Sequence, residues 1–283
     1  MNVKHILSEI EKIDPEVYDR LDTRRASLHS FSGIGKKIAL TTLPLVFGGL
    51  FKKAYSQTSG GTVLGSVVDI LNFALKLEFL ESEFYKAGVS ASALIPAGPA
   101  VGAFTTIRDH EIEHVAALQA TITSLGGTPV AQPAFDFTAK GTFADVFTNY
   151  DTFLAVSQTF EDTGVRAYKG QANNAALMAN NDVLDAALRI HSVEARHASH
   201  VRYMRRVRNS DATIKGWITG AVPTVAGATD ASYAGEDNVS QGGVTITSLP
   251  GATGNVSTSA ATEAFDEPLT YDAVIAIVTP FFA

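Results

Sequence analysis

The stretch "TTIRDHEIEHVAAL" at 105–118 holds His110, Glu111 and His114 in the order H-E-x-x-H. Two chemistries use that order. In a zinc hydrolase both histidines grip one cation, Glu111 serves as base, and a third ligand follows downstream. In a two-cation site Glu111-x-x-His114 is itself the ligand pair, because residues three apart share a helix face. A second such pair must then exist, and Glu194-x-x-His197 supplies it. Two further motifs recur, Glu78-x6-Tyr85-Lys86 and Glu161-x6-Tyr168-Lys169. Glu78 precedes Glu111 by 33 residues and Glu161 precedes Glu194 by 33, so a shift of 83 superposes four Glu, two His, two Tyr and two Lys. Surrounding residues match poorly, so the repeat is one of site positions. The single-zinc reading leaves most of these motifs unexplained, and His110 becomes a bystander at the helix edge.

These groups need helices to position them. Apolar periodicity predicts four, over 66–87, 99–125, 142–172 and 182–208. Their stripes run through Leu71, Leu75, Glu78 and Tyr85; Ile107, Glu111, His114 and Leu118; Leu154, Glu161 and Tyr168; and Leu188, Glu194, His197 and Val201. Each acid therefore sits where charge should not be. Taking a carboxylate out of water costs several kcal/mol even after relaxation, so four in one core require a positive partner. Two divalent cations, about 3.5–4 Å apart in sites of this kind, would neutralise four carboxylates, and two neutral imidazoles would complete the coordination.

The segment "GGTPVAQPAFDFTAKG" (126–141) is long for a hairpin between neighbouring helices and suits a crossover along the length of a bundle. The chain thus divides into an N-terminal arm or export signal (1–57), a bundle (66–210) and a C-terminal accessory segment (211–283). The last is loop-rich, with a short strand expected at 244–249 and a final helix at 270–278 that docks on the bundle. In the arm, the 14-residue apolar run 38–51 is too short to span a membrane. Preceded by Arg24-Arg25 and followed by small residues near Ser56, it resembles an export signal of the twin-arginine type, the alternative being an uncleaved arm on a cytoplasmic protein.

Composition narrows the chemistry. The 283 residues contain no cysteine, which excludes disulfides, thiolate sites and cysteine nucleophiles. Any metal must be held by imidazole and carboxylate, which suits iron or manganese, or zinc in its His/Glu form. A net charge of −7 without a long block of one sign gives no nucleic-acid footprint. The basic run "RYMRRVR" (202–208) reads as the solvated end of a helix, where cations complement the dipole.

One Glu from each of two helices plus Glu-x-x-His from each of the other two is the ligand pattern of two-metal carboxylate bundles. The segments "LNFALKLEFLESEFYKAG" (71–88), "IRDHEIEHVAAL" (107–118), "SVEARHASHVRYM" (192–204) and "EAFDEPLT" (263–270) resemble the ferritin-like superfamily, in its branch of bacterial ferritin-like domains and desiccation-related proteins. That resemblance implies an all-α four-helix bundle with a long crossover between helices two and three. It places the family's ligands on Glu78, Glu111, His114, Glu161, Glu194 and His197, with Glu111 and Glu194 bridging. Tyr85 and Tyr168 would be the catalytic side chains, bonded to a ligand carboxylate or oxidised near the metals, although aromatics at helical spacing also serve as core. The tyrosine seven residues on favours Glu78 over Glu81 as ligand, while Glu81, Glu113, Asp162, His191 and His200 are outer candidates. The implied cofactor is two iron ions, or two manganese ions. The implied activity is a ferroxidase or a reduction of dioxygen or peroxide in an oxidative-stress role, in a monomer or homodimer. A non-enzymatic scaffold with a structural metal is the alternative.

Overall fold

The protein is described by a computed structural model over residues 61–283, so the predicted arm at 1–57 lies outside the described residues. Four long helices form the bundle: α1 (Val67–Ser90), α2 (Pro99–Ser124), α3 (Tyr150–Gln171) and α5 (Asn181–Asn209), with the one-turn α4 (Ala175–Met178) before the last. Local chemistry sets their starts. The Ser66, Asn149 and Asn180 side chains accept from the backbone N–H groups of Asp69, Asp151 and Val183, satisfying donors that the first turn leaves open. Pro99 opens α2, where no N–H is needed.

Helix α3 begins at Tyr150 rather than just after Thr142. The Asp136 carboxylate gathers the Thr138 N–H, the Thr138 hydroxyl and the Lys140 N–H into a turn. Ala139, Lys140 and Gly141 then take φ of 48°, 58° and 91°, a left-handed run that right-handed helix cannot contain. The C-terminus holds this crossover in place. Phe135 bridges Phe282, Asp136 N–H donates to the Phe281 carbonyl at 2.8 Å, and Ala283 N–H donates to that of Ala134 at 3.0 Å.

Helix α1 pairs with α2, and α3 with α5. Side chains from the C-terminal half of α1 (Leu80, Phe84), the start of α2 (Phe104, Ile107), the start of α3 (Phe153, Phe160) and the end of α5 (Val201) share one apolar cluster. Each pair is therefore antiparallel. A second cluster near the other end joins Ile70, Leu75, Leu118, Ile122 and Val183. On α1, α2 and α5 the predicted acids Glu78, Glu111 and Glu194 lie between these two apolar layers in sequence, which places them at mid-height in the bundle.

After α5 come α6 (Asp230–Tyr233), α7 (Thr258–Glu263), α8 (Tyr271–Val278) and two minute hairpins. In the first hairpin, β1 (Ser240–Gln241) pairs with β2 (Val244–Thr245) around Gly242-Gly243, both at positive φ, as a tight two-residue turn demands. The second pairs β3 (Pro250–Gly251) with β4 (Gly254–Asn255). The strand expected over 244–249 thus ends at Thr245, because Ile246–Ser248 close into a 3-10 turn. The terminal helix forms as expected, capped by Thr270. Buried Arg166 of α3 ties this segment to the bundle. It pairs with Glu236 at 2.8 Å and donates to the carbonyls of Ser232, Ala234 and Glu267.

The basic run 202–208 is only partly a solvated helix end. Arg202 is buried and meets Asp162 of α3 at 2.5 Å, and Arg205 donates to Gln158. A carboxylate under the surface, also held by the Tyr233 hydroxyl, draws that guanidinium inward. Among the described residues no helix is long and apolar enough to cross a membrane.

Candidate metal centre

Glu78 on α1, Glu111 and His114 on α2, Glu161 on α3, and Glu194 and His197 on α5 converge on one point in the bundle. They form two overlapping groups, Glu78–Glu111–His114–Glu194 and Glu111–Glu161–Glu194–His197, each with one donor atom per residue and all donors within 4.8 Å of one another. Glu111 and Glu194 belong to both. All four carboxylates are fully buried at 0% exposure.

The two imidazoles enter by the same nitrogen. His114 Nδ1 lies 3.1 Å from Glu78, 3.2 Å from Glu111 and 3.2 Å from Glu194. His197 Nδ1 lies 2.9 Å from Glu111 and 3.3 Å from Glu161. Proximity here is not satisfaction. Glu111 Oε1, Glu161 Oε2, both oxygens of Glu194 and His197 Nδ1 are buried without a hydrogen-bond partner. Buried polar atoms are ordinarily paired, and these lie close together with no hydrogen bond between them. Lone pairs that crowd together without bonding suit a cation between them, and the hard oxygen and imidazole donors suit iron or manganese.

The tyrosines lock the acids crosswise. Tyr85 of α1 donates to Glu161 of α3 at 2.5 Å, and Tyr168 of α3 donates to Glu78 of α1. The 83-residue repeat is therefore realised as an exchange between the two helix pairs. Burial, with the carboxylate each one faces, pushes both phenols well above their usual range, so they stay neutral donors. The remaining oxygen of each terminal Glu is left for the centre.

Electrostatics measure the strain of holding the acids together. Burial lifts Glu78 to about 7, against the hydrogen bond from His114. Burial and the neighbouring Glu111 lift Glu194 well above the carboxylate range. Burial alone would push His197 down, but Glu161 and Glu111 outweigh it and carry it up to about 11. Glu111 also feels burial upward, yet the hydrogen bond from His114 and the adjacent His197 imidazole hold it at about 2.

Two residues that carried no ligand role in the sequence also stand at the centre. Glu81 is buried at 3% exposure, and burial followed by the field of Glu194 and Glu111 raises it strongly. Its counterpart in the repeat is Gly164, where an added Cβ would lie 3.2 Å from Glu81 Oε1 and 3.4 Å from Glu194 Oε2. A glycine on α3 thus makes room for a fifth acid. His110 is not a bystander: its Nδ1 lies 2.9 Å from His197 Nε2. That turn also removes the single-zinc geometry, since among the described residues His110 joins neither donor group. The other outer candidates lie elsewhere. Asp162 serves Arg202, Glu113 and His200 are exposed, and His191 lines an apolar pocket with Leu71, Leu77 and Tyr168.

Residues 66–206 match the family described as the ferritin-like domain. A search of curated proteins returned no match for the chain.

Proposed function

With residues 66–206 forming a ferritin-like domain, we propose that its acid layer holds two divalent cations, iron first and manganese second, for a ferroxidase or peroxide- and dioxygen-reducing reaction. The observation that carries this is the set of orphaned oxygens and imidazole nitrogen within the two overlapping donor groups. A pair of Fe(II) ions held there would supply two electrons, enough with two protons to convert one hydrogen peroxide to two waters.

The protein's own groups divide the remaining work. Glu111 and Glu194, common to both donor groups, would bridge, and Glu78 and Glu161 would bind terminally with His114 and His197. Their −4 matches +4, and burial with the field of Glu194 and Glu111 favours the protonated form of the fifth acid, Glu81. Tyr85 and Tyr168 fix the terminal carboxylates and keep a hydroxyl proton one hydrogen bond from them. Apolar clusters near both ends exclude bulk water, which strengthens each interaction inside.

Oxygen-electrode traces after adding Fe(II) to metal-free full-length protein test the proposal. Consumption of dioxygen or peroxide beyond that of free Fe(II), lost in the Glu111→Ala, Glu194→Ala double variant, is expected. Uptake of metal that raises Tm with no turnover by either iron or manganese would instead leave a scaffold with a structural metal.

A further inference from the structure

The 83-residue repeat makes the two donor groups look equivalent, but the residues behind the imidazoles differ. His197 turns Nδ1 to Glu111 and Glu161 and Nε2 to His110 Nδ1 at 2.9 Å. The two rings lie within 14° of a common plane with centroids 5.2 Å apart. That separation is a 2.9 Å nitrogen contact with a ring radius added on each side, so the rings meet edge to edge and the hydrogen bond lies in their planes. The repeat assigns Val193 to the position corresponding to His110. Valine offers no donor or acceptor, and the His114 side chain is the more open of the two, 11% exposed against 6%.

From this asymmetry we infer that His110 is a positioning residue that makes the two cation sites unequal, the Glu161–His197 side being the tighter. The inference rests on the two-cation reading above. A neutral imidazole that gives its Nδ1 lone pair to a cation must carry its proton on Nε2, and that proton needs an acceptor. His110 Nδ1 is placed to accept it, fixing both the tautomer and the rotation of the His197 ring. Partners of this kind raise ligand basicity, and removing one typically lowers metal affinity about 10–100-fold. His114 has valine where such a partner would stand.

Titration of metal-free full-length protein with Co(II), followed by visible absorbance and calorimetry, tests this without reference to turnover. Wild type should take two equivalents in resolved steps. In His110→Val the tighter step should weaken by about 10–100-fold while the weaker step stays in place. In His110→Asn, whose Oδ1 can accept the same N–H, most of the affinity should return. Three outcomes overturn the inference: an isotherm indifferent to His110→Val, equal weakening of both steps, or an Asn variant as impaired as the Val variant. Two equivalents bound regardless of residue 110 would leave the two-cation reading standing, whereas no Co(II) uptake by wild type would remove both. Circular dichroism melts of each metal-free variant show that the bundle is intact.

Discussion

At the scale of single residues, protons and cations compete for the same negative charge. Without metal, burial and mutual repulsion raise Glu78 to about 7 and lift Glu81 and Glu194 well above the ordinary carboxylate range, while His197 rises to about 11. The folded apo-protein therefore holds protons that the unfolded chain gives up once pH passes the ordinary values of 4.5 for Glu and 6.5 for His. Stability of the apo form must fall as pH rises through that window. Glu111 runs the other way only between about 2 and 4.5. Cation binding expels these protons, so the Tm gain on adding Mn(II) should grow between about pH 5 and about pH 8. Calorimetric scans across that range check it, and a gain that shrinks with pH would contradict the charge assignment. The acids and Nδ1-bearing histidines were legible in the sequence because the spacing repeats. His110, read as a bystander, and Glu81, named only as an outer candidate, stood outside that signal, because their counterparts Val193 and Gly164 break the repeat. A residue that exists on one side only leaves no periodic signal.

At the scale of elements, periodicity located four helices because each buries an apolar stripe, and it failed where distant chain decides. The start of α3 is delayed by a turn that the C-terminal residues clamp, with Asp136 N–H on the Phe281 carbonyl and Lys140 Nζ on that of Phe282. Local propensity cannot register a partner about 140 residues away. The same long-range closure explains Gly170 near the end of α3. A Cβ there would overlap the Leu269 carbonyl oxygen, whose own N–H donates to Arg166 O at 3.0 Å. Backbone cannot yield as a flexible side chain does. Gly170→Ala should therefore cost about 1–3 kcal/mol of overpacking despite alanine's better helix propensity, read as a lower midpoint in urea. An unchanged or raised midpoint would mean that the C-terminal segment does not run against α3.

For the whole molecule, the bundle and residues 211–283 are joined through a buried charge pair rather than through apolar packing alone. Arg166 satisfies Glu236 and three carbonyls at once. Arg166→Ala leaves that carboxylate buried and unpaired, which typically costs about 3–5 kcal/mol, and equilibrium denaturation should show it. A loss below about 1 kcal/mol would place Glu236 in water. The sequence could not reveal this joint, since Arg166 stands outside the repeated Tyr168-Lys169 motif and its ion-pair partner Glu236 lies far along the chain. The wider claim is that an acid core this dense exists to hold a metal pair. Anomalous scattering from crystals soaked in Fe(II) or Mn(II) tests it most directly. Two peaks per chain are predicted, one against Glu78 and His114 and one against Glu161 and His197, with Glu111 and Glu194 touching both. A single peak bound by His110 and His114, or no peak among the six side chains, would contradict it.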